Sequence, residues 1–246
     1  MELAALTLAP GLALGSFLNV VISRVPLKRS IVRPGSACAA CGHPLSWYEN
    51  VPVVSYLALR GKCRHCGATI PLHHPIVEAA TGLLVAAAAW KFGLTWDFAV
   101  AAVFLATLVT VSATDFERRI IPNRVVLPAA VVVLAAKTVV HPSVEWAVAG
   151  VAASAFLLAA ALAYPGGMGM GDVKLAALLG FALGRSVSVA LLLGFVTALV
   201  PSVVLIARHG SAARKMGIPL GPFLALGGVV ALFAGSGILH WYLGTM

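Results

Sequence analysis

Eight acidic residues are spread through 246: Glu2, Glu49, Glu78, Asp97, Asp115, Glu117, Glu145 and Asp172. With 61% of the residues hydrophobic and 10% charged, an acid placed among apolar runs is costly and is a candidate for function. Asp172 is the clearest case. It follows Pro165-Gly166-Gly167-Met168-Gly169-Met170-Gly171 and precedes Val173-Lys174, between two long apolar runs. Asp115 closes another apolar run, ahead of Phe116-Glu117-Arg118-Arg119 and the turn signal Pro122-Asn123. Of the other acids, Glu2, Asp97 and Glu145 fall on the opposite side of the topology described below, and Glu49 lies in a cysteine-bearing loop. Glu117 beside Arg118 and Arg119 reads as a solvated ion-pair member. Glu78 follows Pro75 into an apolar run, where it complements a helix dipole from the first turn. Ligand binding at the membrane entrance is the alternative for Glu78.

Asp115 and Asp172 remain, two aspartates at similar depth on one side, from different helices. Two carboxylates held close share a proton, because both cannot easily ionise together. The ionised one acts as general base on a water. The protonated one polarises a scissile carbonyl and later protonates the leaving amine. Gly169 and Gly171 permit backbone conformations closed to other residues and clear side chains from around Asp172, so that an extended substrate can approach the backbone. The competing reading is a glycine-rich turn whose aspartate caps a helix over 173–184.

A second group of chemically active residues is Cys38-Ala39-Ala40-Cys41 and Cys63-Arg64-His65-Cys66, two CxxC pairs separated by 21 residues. That spacing fits a tetrahedral four-cysteine Zn2+ site of the closed, structural kind. Gly42 and Gly67, each directly after the second cysteine of a pair, point to tight turns. Two disulfides are the alternative, disfavoured in a reducing compartment. His43, His65, His73 and His74 are competing ligands. Between the pairs, Trp47 to Tyr56 is aromatic and apolar, suited to lie against a membrane surface or another part of the protein.

The elements that must position these residues are membrane helices. Mean hydropathy is +0.99, and a crossing takes about 20 apolar residues. Apolar runs fall near 3–22, 76–92, 98–114, 125–140, 145–163, 174–184, 187–207 and 219–243, so the expected fold is an all-α, polytopic bundle of about eight helices with a small cytoplasmic zinc-binding loop. The first run lacks a basic flank and a cleavage site and reads as a retained helix. Asn19 in that run needs an interhelical partner or a packing role. The net charge of +9 does not indicate a nucleic-acid partner, because its placement sets orientation. Of the 17 Lys and Arg residues, only Lys91, Lys137 and Arg185 fall on one side, while the others, including Lys174, Arg208, Arg214 and Lys215, share the side of Asp115 and Asp172. By the positive-inside rule that side is cytoplasmic.

These residues together resemble the bacterial type IV prepilin peptidases, also called leader peptidase/N-methyltransferases, within the GxGD class of membrane aspartic proteases. Gly169-Met170-Gly171-Asp172-Val173-Lys174 is similar to the GxGDxK motif. Asp115 with Ile121-Pro122-Asn123 is similar to D-x5-I-P-[DN]. Gly15-Ser16-Phe17-Leu18-Asn19 with Arg24-Val25-Pro26 resembles the first-helix signature, and Asn50-Val51-Pro52 with Arg60-Gly61-Lys62-Cys63 the cytoplasmic loop. Pro219-Leu220-Gly221-Pro222-Phe223 resembles the start of the last helix.

The resemblance spans the chain in order. It implies a multi-pass enzyme of the bacterial inner membrane, with its active site facing the cytoplasm. It would cleave the leader from type IV prepilins and type II secretion pseudopilins, typically after a glycine, and N-methylate the new N-terminus with S-adenosyl-L-methionine. It implies Asp115 and Asp172 as the catalytic pair, Gly169, Gly171 and Lys174 as support for their loop, and Cys38, Cys41, Cys63 and Cys66 as Zn2+ ligands. Its partners would be prepilins, pseudopilins and the lipid bilayer.

The corresponding domains are 1–22, a first transmembrane helix; 23–75, the zinc-binding loop associated with methyl transfer; and 76–246, the membrane peptidase. There is no dinucleotide-type glycine loop, and about 50 residues cannot hold a Rossmann-type methyltransferase, whose βαβ unit alone takes roughly 30. The methyl donor is therefore expected in the loop or at its junction with the membrane, near Glu78. The rival functions are a GxGD protease that cuts transmembrane helices without methyl transfer, and a transporter with a zinc-stabilised loop.

Overall fold

The computed structural model describes residues 2–164, 167–210 and 217–244. Pro165 and Gly166 of the glycine-rich stretch, and Arg214 and Lys215 of the last basic loop, lie outside the described residues. Regular structure among the described residues is helical, with two isolated β-bridges, Ala37 to Pro44 and Lys62 to Thr69. The chain divides into two compact units, 1–113 and 114–246.

In the first unit, α1 (Glu2–Arg24) pairs with α3 (His73–Phe92). Small residues let the backbones approach: a Cβ on Gly15 would sit 2.6 Å from the Glu78 Cα, and one on Gly11 3.0 Å from the Gly82 Cα. Leu18, Ile22 and Val77 form a buried cluster there, packed against Leu14, Ala106, Val109 and Ala113. The last three lie on α4 (Trp96–Arg118), in whose final turns the first unit ends. Between α1 and α3 the chain makes a single turn of 3-10 helix at Trp47–Asn50, then α2 (Val54–Ala58). Because α3 begins at His73, Glu78 lies beyond its first turn, so the expected helix-dipole role does not apply. The chain enters that helix ahead of Pro75, which is tolerated because the first-turn N–H groups have no helical partner.

The second unit holds α5 (Asn123–Val140), α6 (Glu145–Ala163), α7 (Met170–Leu183), α8 (Val187–His209) and α9 (Gly221–Leu243). Turn chemistry sets the starts: Pro122 precedes α5 at φ −74°, and the Ser143 hydroxyl accepts the Glu145 N–H at 3.1 Å before α6. The short helix α7 packs against α5 and α6, while α8 packs on α9. Leu175, Ala176, Leu178 and Leu179 on α7 are fully buried. Beyond Asp172 and Lys174 in its first turns, α7 carries only apolar residues and glycine, which suits a helix packed among its neighbours.

Seven stretches of the described residues are long and apolar enough to cross a membrane. One of them, Met170–Arg208, is broken at Gly184, which has φ +56°. With α7 and α8 taken separately, the long helices number about eight, as expected. The 14 residues of α7 span only about 21 Å, less than a hydrocarbon layer of about 30 Å.

Candidate active site and cysteine cluster

Asp115 lies in the last turn of α4 and is 6% exposed. Its Oδ2 accepts the backbone N–H of Gly221, the first residue of α9, at 2.9 Å. Asp172 is the third residue of α7 and is 8% exposed. Its Oδ2 accepts the Gly169 N–H at 3.2 Å, which closes the first turn of the helix. The capping alternative, with Asp172 ahead of a helix over 173–184, is corrected: the helix starts at Met170, Gly169 is its cap, and Asp172 lies inside the first turn. The other oxygen of Asp172, Oδ1, is buried and has no hydrogen-bond partner among the described residues. Ile121, six residues after Asp115, lies against Gly171, the residue before Asp172, so the fold brings two aspartates 57 positions apart in sequence into one region.

The surrounding loop is held by two contacts. The Lys174 ammonium donates to Asn123 Oδ1 at 2.9 Å, tying α7 to the start of α5. Gly171 lies against Ile121, whose Cβ would be 2.8 Å from a Cβ placed on the glycine. Gly169 has φ −81° and Gly171 is helical, so neither uses a conformation reserved for glycine. What Gly171 supplies is space. The expectation of unusual backbone angles is corrected accordingly.

The four cysteines converge. Their sulfurs all lie within 4.8 Å of one another, and Cys38 Sγ is 3.9 Å from Cys66 Sγ. A tetrahedron with bonds of about 2.3 Å has edges of about 3.8 Å, so this donor set fits Zn2+. Disulfide bonding needs about 2.0 Å between sulfurs, and all four cysteines are free. Each pair makes the same turn: Gly42 N–H to Cys38 O and Gly67 N–H to Cys63 O, both 2.9 Å, with φ +70° and +72° at the glycines. The backbone amides of Cys41, then Ala40, pull the Cys38 thiol down to about 6, while, against the lowering Ala68 amide, burial and the three neighbouring sulfurs push Cys66 up to about 11. His43 and His65 stack on each other at 3.9 Å instead of joining the sulfurs.

At the root of this loop, Glu78 Oε2 accepts the Val53 N–H at 2.8 Å and Oε1 accepts from the Asn19 amide at 3.4 Å. Asn19 also donates to His74 O at 3.0 Å, which supplies the partner expected for it, while its Oδ1 is buried without one. The carboxylate thus joins α1, α3 and the segment before α2. Val53 there has φ +61°, a costly value for a β-branched residue.

Comparison with known proteins places both regions. Residues 10–92 match the bacterial Peptidase A24 N-terminal domain, and residues 102–206 match the type IV leader peptidase family. The prepilin leader peptidase/N-methyltransferase of Bacillus subtilis is 36% identical, over 95% of this chain and 95% of that protein. This chain belongs to the type IV leader peptidase family. A prepilin leader peptidase/N-methyltransferase of Pseudomonas aeruginosa is 35% identical over 96% of the family member described here and 92% of its own length. The Myxococcus xanthus protein of that name is 50% identical over 118 residues, 48% of this chain and 35% of the other. No solved structure matches the chain.

Within this leader peptidase, two site contacts were not foreseen from sequence. Asn123 was visible only as part of a turn, and its amide as the partner of Lys174 depends on a fold contact 51 residues away. Gly221 donates through its backbone and leaves room by having no side chain, and nothing local in the sequence ties that position to Asp115. The run Pro219-Leu220-Gly221-Pro222 was the available hint.

Proposed function

We propose that this leader peptidase cleaves the leader from type IV prepilins and pseudopilins at the cytoplasmic face of the bacterial inner membrane and then N-methylates the new N-terminus. The observation that carries the peptidase reading is the pair of buried aspartates, Asp115 and Asp172, brought to one region from different helices, with one buried oxygen of Asp172 left without a partner among the described residues. The side of the membrane is supported by the bias of basic residues toward the segments that hold both aspartates. The chain's similarity to named prepilin leader peptidase/N-methyltransferases along nearly its full length supports the substrate and both activities.

In the reading we favour, the pair holds one proton, carried on Asp172, and Asp115 is ionised. Asp115 takes a proton from a water as the water oxygen bonds to the scissile carbonyl carbon, and Asp172 gives its proton to the carbonyl oxygen. Collapse of the resulting diol breaks the C–N bond. The proton on Asp115 goes to the leaving amine, in place of one from the carbonyl-polarising acid, which was spent in forming the diol; a diol hydroxyl returns a proton to Asp172, so the pair ends as it began. Gly169, Gly171 and Lys174 hold the first turn of α7 in place for this.

Cys38, Cys41, Cys63 and Cys66 would hold Zn2+, which supplies a structural clasp to a loop too small for a core of its own. The methyl donor, S-adenosyl-L-methionine, fits the junction of that loop with α1 and α3. Asn19 Oδ1 is a buried acceptor in need of a donor, and the Glu78 carboxylate is beside it. Together they suit the ammonium or ribose hydroxyls of the donor, which when bound supplies the methyl group for the pilin amine. In domain terms, 23–75 then serves methyl transfer and 76–246 proteolysis.

Purified protein incubated with a prepilin should yield a shortened chain whose new N-terminus carries one added methyl group by mass spectrometry. Asp115→Ala and Asp172→Ala should each leave the leader attached; full cleavage by either ends the two-aspartate reading. Binding of S-adenosylhomocysteine should weaken in Asn19→Ala and Glu78→Gln, and unchanged affinity in both would remove the donor from this junction.

A further inference from the structure

The first turn of α9 has four backbone positions to account for. Pro222 has no N–H, and the N–H groups of Phe223 and Leu224 both turn back to Leu220 O, at 3.1 and 3.0 Å. The remaining donor is Gly221, and it points out of the helix to Asp115 Oδ2 at 2.9 Å, across 106 residues of sequence, in a buried bond. The approach is close. A Cβ on Gly221 would lie 2.7 Å from Asp115 Oδ2 and 3.2 Å from both its Cβ and Cγ. That is below the separation side chains tolerate, and Asp115 has nowhere open to retreat, being 6% exposed.

We propose that Gly221 is a positioning residue of the peptidase site: its N–H fixes one oxygen of Asp115, and its missing side chain leaves the room that this carboxylate occupies. The inference rests on Asp115 acting in the two-aspartate reaction. Its consequence is an ordered pair. Gly221 N–H engages Oδ2 of Asp115 and Gly169 N–H engages Oδ2 of Asp172, so the Oδ1 atoms are the ones left for the water and the scissile carbonyl. Both constraints come from backbone, which cannot swing to a new rotamer when substrate arrives. A site aimed in this way is preorganised, so its loss falls on the chemical step and not on substrate binding.

The test compares Gly221→Ala with Gly237→Ala, a glycine on the same helix that has nothing within 4 Å of an added Cβ. Gly237→Ala should cleave prepilin as the parent does. Gly221→Ala should lower kcat for cleavage at least ~100-fold, with KM within about threefold, the scale of losing one preorganised donor. Its methylation of an already cleaved pilin should be unchanged, and its melting temperature should fall by no more than the overpacking of one methyl brings. A loss in KM alone would overturn the proposal. Should Gly221→Ala lose melting stability and methylation as well, an ester at this position, glycolic acid in place of Gly221, decides. It removes only the N–H and should lower kcat about tenfold or more; wild-type kcat in the ester overturns the proposal. Asp115→Asn separates the two readings. If it is inactive while Gly221→Ala and the ester both cleave normally, Gly221 has no positioning role. If Asp115→Asn itself cleaves normally, the two-aspartate reading falls first.

Discussion

Asp115 and Asp172 are both buried and each accepts a backbone N–H through Oδ2, while Oδ1 of Asp172 is buried without a partner among the described residues. An acceptor left bare in a buried site costs about 1–3 kcal/mol, and such a cost persists where a ligand is to repay it. Replacing either aspartate by asparagine should therefore lower cleavage at least ~10³-fold, the scale on which members of a catalytic set fail singly. Methylation of a cleaved pilin should be retained, which an assay on both substrates would show. Lys174 has a smaller part. Lys174→Met removes one hydrogen bond to Asn123, worth about 1 kcal/mol, and should lower kcat less than tenfold. The aspartates were legible in sequence because acids are so few here that elimination reaches them. The contacts of Asn123 and Gly221 were not, because nothing local ties position 123 to 174, or 221 to 115.

At the scale of elements, α7 has only 14 residues and is buried along most of its surface, with a half-exposed stripe at Gly171, Lys174, Ala177 and Phe181. A helix of this kind is placed by its neighbours, and Ile121 against Gly171 is where its first turn is set. Gly171→Ala should push that turn away, costing about 1–3 kcal/mol as overpacking does, with a lower melting temperature and slower cleavage. Pairing it with Ile121→Ala, which removes atoms 3.2 Å from the new methyl, should restore part of both. The apolar run 174–184 announced this helix, but the start at Met170 was hidden, because glycines read as a turn until Asp172 closes one on Gly169. In α3 the helix likewise begins ahead of its proline, and the error in that boundary is what misplaced Glu78. Glu78→Ala should leave the Val53 N–H and the Asn19 amide without their carboxylate. The segment 47–60 should then be cut faster by a protease, with membrane insertion intact.

Over the whole molecule, the number of helices was legible because a hydrocarbon layer demands long apolar runs and the basic residues mark one side. The division of the chain between Ala113 and Thr114 was not, because it falls inside the continuous apolar helix α4. The candidate sites follow a similar partition. The cysteine cluster and the Asn19–Glu78 junction belong to the first unit, and both aspartates to the second. Changing Cys38, Cys41, Cys63 and Cys66 to serine should remove about one bound metal per chain, read by elemental analysis. Methyl transfer should fall further than cleavage; equal loss would show that the two activities depend on the loop alike.

The paired cysteine turns also bear on the order in which the chain takes shape during synthesis. Each turn closes over five residues, Cys38 to Gly42 and Cys63 to Gly67, and all four sulfurs are present once the ribosome has passed Cys66. Chains grow at about 5–20 residues per second and fold from the N-terminus, so a metal captured here can clasp the loop before α3 has been made. The Glu78 clamp then arrives on a loop already shaped to meet it. Without metal at that moment the growing chain would carry four free thiols before either aspartate of the pair has been made.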